Sequence, residues 1–268
     1  MKKRICSLFL VAGCLASTLL LPSCTKPTAH QLLSDAMEKT AALDQFSADL
    51  DIEVQMGAVG LNMKVPMSYQ IAAAGLQGDT PVASGTLEMD LFGLQSVTQL
   101  YQEGDSIYYT AGLLKGKTAR RDAPGSYDLL AEVQRLVQPL PEELLEELEM
   151  VEEDGLRTLS LSLEDETFSE VYSDLIKDMT AVASKGETVG DISASEGTVT
   201  IGIDAEGYLA SYDVTFKLTM MVATVGMAMK SEADVSLSLR YNDPGKEVTV
   251  TPPEGYESFP DLPLSLFR

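Results

Sequence analysis

The sequence predicts one α+β domain built on a strongly curved antiparallel sheet, and three patterns predict it. Apolar and polar residues alternate with period two through about ten segments, each long enough to be a strand. Helical spacing of apolar residues appears only near the start and between the two halves, so the helices are segregated and not interleaved with every strand. No Pro/Gly/Ser-rich tract divides the interior of the 268 residues, so residues 31–268 are expected to form a single domain.

The chain opens on Lys2, Lys3 and Arg4, then an apolar run from Ile5 to Leu21, then small residues and Cys24. A basic start followed by such a run is an export signal, here assigned to residues 1–23. Leu21-Pro22-Ser23-Cys24 resembles the bacterial lipobox, with Pro22 a less usual residue, and Cys24 is the expected lipid attachment point. Val11-Ala12-Gly13-Cys14 is a second candidate, but cleavage there would leave Leu15–Leu21 as an apolar new terminus. The polar tether 24–30 follows only Cys24. An uncleaved anchor helix is the alternative, and both readings hold the domain against the extracytoplasmic face of the cell membrane.

Ala29 to Phe46 places Leu33, Ala36, Met37, Ala41 and Phe46 at helical spacing. Leu50, Ile52, Val54 and Met56 then alternate with Asp49, Asp51, Glu53 and Gln55, a strand with one wet face. Gly57–Gly60 turns the chain into a second long strand through Leu61, Met63, Val65, Met67, Tyr69 and Ile71. Alternation continues at Ala83, Leu87, Met89 and Leu91, at Val97–Tyr101 and at Ile107–Thr110. Between Gly125 and Val151 the spacing of Leu129, Val133, Leu136 and Val137, then of Leu144, Leu145, Leu148 and Val151, predicts two short helices meeting at Pro139-Leu140-Pro141. Leu159, Leu161 and Leu163 make a strand. Phe168, Val171, Tyr172, Leu175, Met179 and Val182 make an amphipathic helix stopped by Gly186. The last third is β again, at Val199–Ile203, Tyr208–Met220, Ala233–Tyr241 and around Val248 and Val250.

Composition excludes several chemistries. With 41 acidic against 19 basic residues the net charge is −22, so a nucleic-acid backbone is not an expected partner. Loss of residues 1–23 would remove three cations and no acid, making the balance more negative still. Such a domain is repelled by an anionic lipid surface, which leaves the N-terminal lipid as its membrane contact. The single histidine, His30, lies in the tether, and Cys6 and Cys14 depart with the signal. No disulfide framework, zinc set or histidine triad can be assembled, and no cofactor or metal is expected. Ala111–Thr118 matches a permissive phosphate loop but is not followed by a helix, and reads instead as a basic hairpin turn. The acids of 142–154 have helical spacing and read as a solvated face. A carboxylate-dependent hydrolase is the weakest of three readings, and no enzyme is expected.

The methionines carry more information. Met56, Met63, Met67, Met89 and Met220 stand on apolar strand faces, and Met227 and Met229 flank the last long hairpin. Soft, unbranched side chains suit an adaptable apolar pocket, although any one of them also suits an ordinary core. The candidate ligand-binding residues are therefore Leu50, Ile52, Val54, Met56, Leu61, Met63, Val65, Met67, Leu87, Met89, Phe216, Leu218 and Met220.

The acylated cysteine, short tether, first helix and long alternating strands together resemble the LolA/LolB and LppX/LprG lipoprotein superfamily and its unassigned Gram-positive relatives. Local echoes are Tyr101–Tyr108, the Asp204–Leu209 hairpin and the closing Val248–Tyr256. The resemblance implies an incomplete β-barrel whose concave face is covered by helices, leaving an apolar cavity for a lipid or other hydrophobic molecule. It transfers no individual binding residue. The helices at 126–151 or 165–184 would act as a lid. The rival expectation is a structural or interaction module of the envelope, its concave face filled by its own helices and its acidic surface engaging a basic protein partner.

Overall fold

The computed structural model describes residues 27–58, 61–91, 93–119, 128–129, 140–153, 155–177, 189–224 and 227–262. Within them the alternating segments become eleven strands: β1 (Gln45–Ala58), β2 (Leu61–Ala74), β3 (Val82–Leu91), β4 (Leu94–Glu103), β5 (Ser106–Ala111), β6 (Leu114–Ala119), β7 (Glu149–Glu153), β8 (Leu156–Leu163), β9 (Val189–Ile203), β10 (Leu209–Thr224) and β11 (Met227–Asn242). They join in one sheet, ordered β6-β5-β4-β3-β2-β1-β11-β10-β9-β8-β7, antiparallel at every step. The two halves of the chain are each a meander, and β1 pairing with β11 closes them into one curved, unclosed sheet. β6 and β7 are its two edges.

The helices with described bounds include α1 (Ala29–Ala41), α2 (Glu142–Leu145) and α3 (Asp165–Val171), and residues 173–177 beyond α3 are helical again. α1 starts at Thr28 through a reciprocal cap: the Gln31 N–H donates to the Thr28 hydroxyl at 3.2 Å and the Thr28 N–H donates to Gln31 Oε1 at 3.1 Å. It stops at Ala41, short of the expected Phe46. Phe46 belongs to β1, where its ring packs edge-on against Tyr241 at 5.7 Å.

Two expected elements differ. Residues 146–151 do not continue a helix; Glu149–Glu153 is β7, paired with β8 so that Glu153 faces Leu156. The cause is the short connection to β8, which ends on Gly155. Gly155 has φ +83°, which glycine adopts without strain and which favours a hairpin over another helical turn. Around Val248 and Val250 there is no strand. β11 is already flanked by β1 and β10, so the segment has no free edge to join there.

The chain after β11 runs instead as a strap across the outer face. The Val248 N–H donates to Gln45 Oε1, the Tyr256 ring meets Tyr101 and Tyr108 at 4.9 and 5.0 Å, and Phe259 meets Tyr108 at 6.5 Å. Its end adds to β6 in parallel: the Lys117 N–H donates to the Pro260 carbonyl at 2.8 Å and the Leu262 N–H to the Lys117 carbonyl at 3.0 Å. One edge of the sheet is thus covered from within the chain.

Candidate ligand-binding face

Register decides which residues share a face, because residues directly opposite in an antiparallel pair point the same way. Leu50 stands between Tyr69 and Leu239, Ile52 between Met67 and Leu237, Val54 between Val65 and Val235, and Met56 between Met63 and Ala233. The series extends through β2 and β3, where Met67 faces Met89 and Tyr69 faces Leu87. On the other side Phe216 faces Val235 and Leu218 faces Ala233. Met220 follows them in the same alternation on β10. All thirteen candidate residues therefore fall on one continuous face. Leu61 and Met63 are placed by register alone, their side chains lying outside the described residues.

Burial divides that face into two halves. Where α1 and α3 lie it is filled: Leu50, Tyr109, Phe168, Ile201, Ile203 and Leu159 are fully enclosed. Leu33 and Ala36 of α1 complete this core, joined by Leu129 and Leu140. Leu129 presses on Gly85 so closely that a β-carbon there would stand 3.0 Å from both its methyls. Phe168 stacks on Tyr172 at 4.7 Å and tilts against Phe216 at 5.0 Å. The Tyr172 and Tyr212 hydroxyls share a hydrogen bond of 2.8 Å. Burial, reinforced by this partner, pushes the Tyr172 phenol far above its ordinary range.

Toward the β1–β2 and β3–β4 turns the cover thins. Ile52, Val54, Met56, Val65, Met67 and Met89 are only half-buried, whereas Leu87, Phe216, Leu218 and Met220 beside them remain buried. At ~3.4 Å per residue and ~4.8 Å per strand, the half-covered region is about 14 Å along β1 and about 10 Å across β1, β2 and β3, beside the buried residues of β10 and β11. It offers adaptable methionine and branched aliphatic surface, with no carboxylate or base on it among the described residues.

The β1 carboxylates Asp49, Asp51 and Glu53 sit on the opposite, outer face. There a groove of about 680 Å³ is lined by Ser47, Asp49, Gln70, Thr86, Gln99 and Asn242 and walled by Thr251–Glu254 of the strap. Asn242 Nδ2 donates to Asp49 Oδ2 at 3.0 Å. This groove was not visible in the sequence, since nothing in the alternation says that the last residues cross those strands. Around it the exposed pairs Lys64–Glu53 at 2.6 Å and Arg240–Asp213 at 3.5 Å contribute little to stability. Among the described residues no cluster of three or more His, Cys, Asp or Glu side chains could hold a metal, and no helix is long and apolar enough to cross a membrane. The expected signal 1–23, Cys24, and the helical stretches around 130–139 and 178–184 lie outside the described residues.

The chain is similar in fold to LprF from Mycobacterium bovis. The likeness covers 85% of this chain and 97% of that one, at 14% identity and a TM-score of 0.41. A DUF1329 family protein from Desulfovibrio piger aligns over 82% of this chain and 93% of its own, at 10% identity and TM-score 0.26. A LolA superfamily protein from Nitrosomonas europaea aligns over 90% and 98%, at 11% identity and TM-score 0.23. No family model and no curated protein matches the sequence. The likeness is to the arrangement of the chain, and it carries over no residue and no ligand.

Proposed function

We propose that this protein is an extracytoplasmic lipoprotein, anchored through Cys24, that holds a lipid or other hydrophobic molecule against the inner face of its sheet. The observation behind this reading is the half-covered end of that face, where Ile52, Val54, Met56, Val65, Met67 and Met89 form one apolar surface that the described helices do not fill. At ~0.8 kcal/mol per buried methylene, ten methylenes laid there would gain about 8 kcal/mol before the cost of association. That is enough for a carrier that must also let go. No step of chemistry is involved.

Native mass spectrometry of the full chain in a nonionic detergent tests the reading. Copurifying lipid, or saturable uptake of a fluorescent fatty acid that Val54→Asp abolishes, is the expected result. Neither lipid nor uptake in a folded protein would overturn it. The enclosed half around Leu50, Phe168 and Tyr212 favours the second reading, a tethered scaffold with a filled core, which then remains.

A further inference from the structure

The two edges of the sheet are treated differently. β6 is covered by residues 260–262 of the strap, which pair with it in parallel. β7 ends the sheet at the other side, and all five of its residues, Glu149-Met150-Val151-Glu152-Glu153, are exposed. A bare strand edge presents unpaired backbone donors and acceptors, and proteins blunt such edges with charge or cover. Charge alone does not describe this one: Met150 is 42% exposed, Val151 62%, and Leu156 across the hairpin 44%. Apolar side chains beside an open ladder are what a pairing strand from another chain would bury.

Register and charge identify the occupant. Glu149, Val151 and Glu153 share the outer face, opposite Ser160, Thr158 and Leu156. Met150 and Glu152 share the inner one, where Glu152 meets Arg157 at 3.9 Å. Glu149 and Glu153 have no ion pair among the described residues. A second copy of this chain fits badly: centred antiparallel on Val151, it would set Glu149 against Glu153 twice, and like charges directly opposite destabilise a sheet. A strand with Lys or Arg at positions i and i+4 and an apolar residue at i+2 would match all three outer positions. The surroundings agree, since residues 142–153 hold seven glutamates and no cation.

We propose that β7 is a docking edge for an extended basic segment of a partner protein, added as a twelfth strand. The proposal is independent of whether the inner face holds a lipid.

The test uses the full chain in nonionic detergent and a nine-residue peptide with Lys, Val and Lys at alternate positions and threonines between them. Fluorescence anisotropy is expected to give saturable binding, weakened at least tenfold by Glu149→Lys with Glu153→Lys. That double variant is expected to bind the Glu-Val-Glu peptide instead. Hydrogen exchange is expected to protect amides of residues 149–153 and to leave β6 unchanged. Equal binding of a scrambled peptide of the same charge, or unchanged exchange at 149–153, would overturn the proposal. So would sedimentation showing that β7 is occupied by a second copy.

Discussion

The ring of Phe168 stands where a β-carbon on Gly197 would have to be. This contact seats α3 on the sheet, and the strand is shaped to receive it. Between Thr198, which faces Thr215, and Ser195, which faces Lys217, β9 carries one extra residue. Glu196 takes up the bulge with φ +55°, donating its N–H to Asp165 Oδ1 at 3.0 Å while its carboxylate pairs with Lys217 at 2.7 Å. Gly197→Ala is expected to destabilise the fold by about 1–3 kcal/mol through overpacking. Phe168→Ala, which empties the same space, should cost about 3–5 kcal/mol. The pair should cost less than the sum, because the smaller side chain makes room for the new methyl. Urea denaturation of the four proteins checks this; strict additivity would mean that the two sites are not packed together.

Alkaline pH should unfold the protein earlier than its acidic composition suggests. Burial pushes Tyr241 up to about 12 and raises Tyr172 as well, while an unfolded phenol titrates near 10. Above that value the unfolded chain loses protons that the native one keeps, so stability is intact below about pH 10 and falls as pH rises through 12. Each such tyrosine contributes a slope of about 1.4 kcal/mol per pH unit. Tyr101, raised to about 12 by burial and by Glu103, acts in the same direction. Tyr172→Phe should cost about 0.5–1.5 kcal/mol near neutrality and flatten the alkaline slope by one proton. Urea midpoints from pH 8 to 12 give both quantities.

Much of the sheet was legible because a strand with one wet face writes its register into the sequence. Leu50–Met56 and Phe216–Met220 fall on the face that alternation assigned them. What alternation cannot state is depth. Leu50 and Val54 are two positions of one pattern, yet one is sealed and the other half-open, because burial depends on where α1 and α3 come down. Leu144, Leu145, Leu148 and Val151 fit period 3.6 and predict a helix where β7 stands, while the residue that decides, Gly155 with its positive φ, comes after the strand. The strap left no periodic trace. Its contacts are made by isolated aromatics and by backbone groups, neither of which repeats.

That strap yields a prediction of its own. Phe259 and Tyr256 bury Tyr101 and Tyr108 on the outer face, and the Leu262 carbonyl accepts from the Tyr109 hydroxyl at 3.1 Å. Phe259→Ala should cost about 3 kcal/mol. Deleting residues 259–268 should also open the β6 edge and produce concentration-dependent association, as bare edges do. Light scattering against protein concentration distinguishes the two variants: the point substitution loses stability and stays dispersed, while the truncation associates.

The boundary between the filled and half-open parts of the inner face can be mapped by introducing one charge at successive positions along β1. At Leu50 a carboxylate would be enclosed by Tyr69 and Leu239, with no cation among the described residues beside it, so Leu50→Asp should fail to fold or lose more than about 4 kcal/mol. Two residues on, Ile52 is half-buried and the penalty should fall. At Val54 and Met56 an aspartate can turn toward water past the thinning cover, and the cost should be about 1–2 kcal/mol, with the native fold kept. Uptake of a fluorescent fatty acid should run the other way: the folded Val54→Asp and Met56→Asp proteins lose it, since a charge on a surface that must lie dry against methylenes removes the gain from burying them. A uniform loss of stability along the strand, with no loss of uptake at its far end, would mean that the half-open surface is merely the rim of the core.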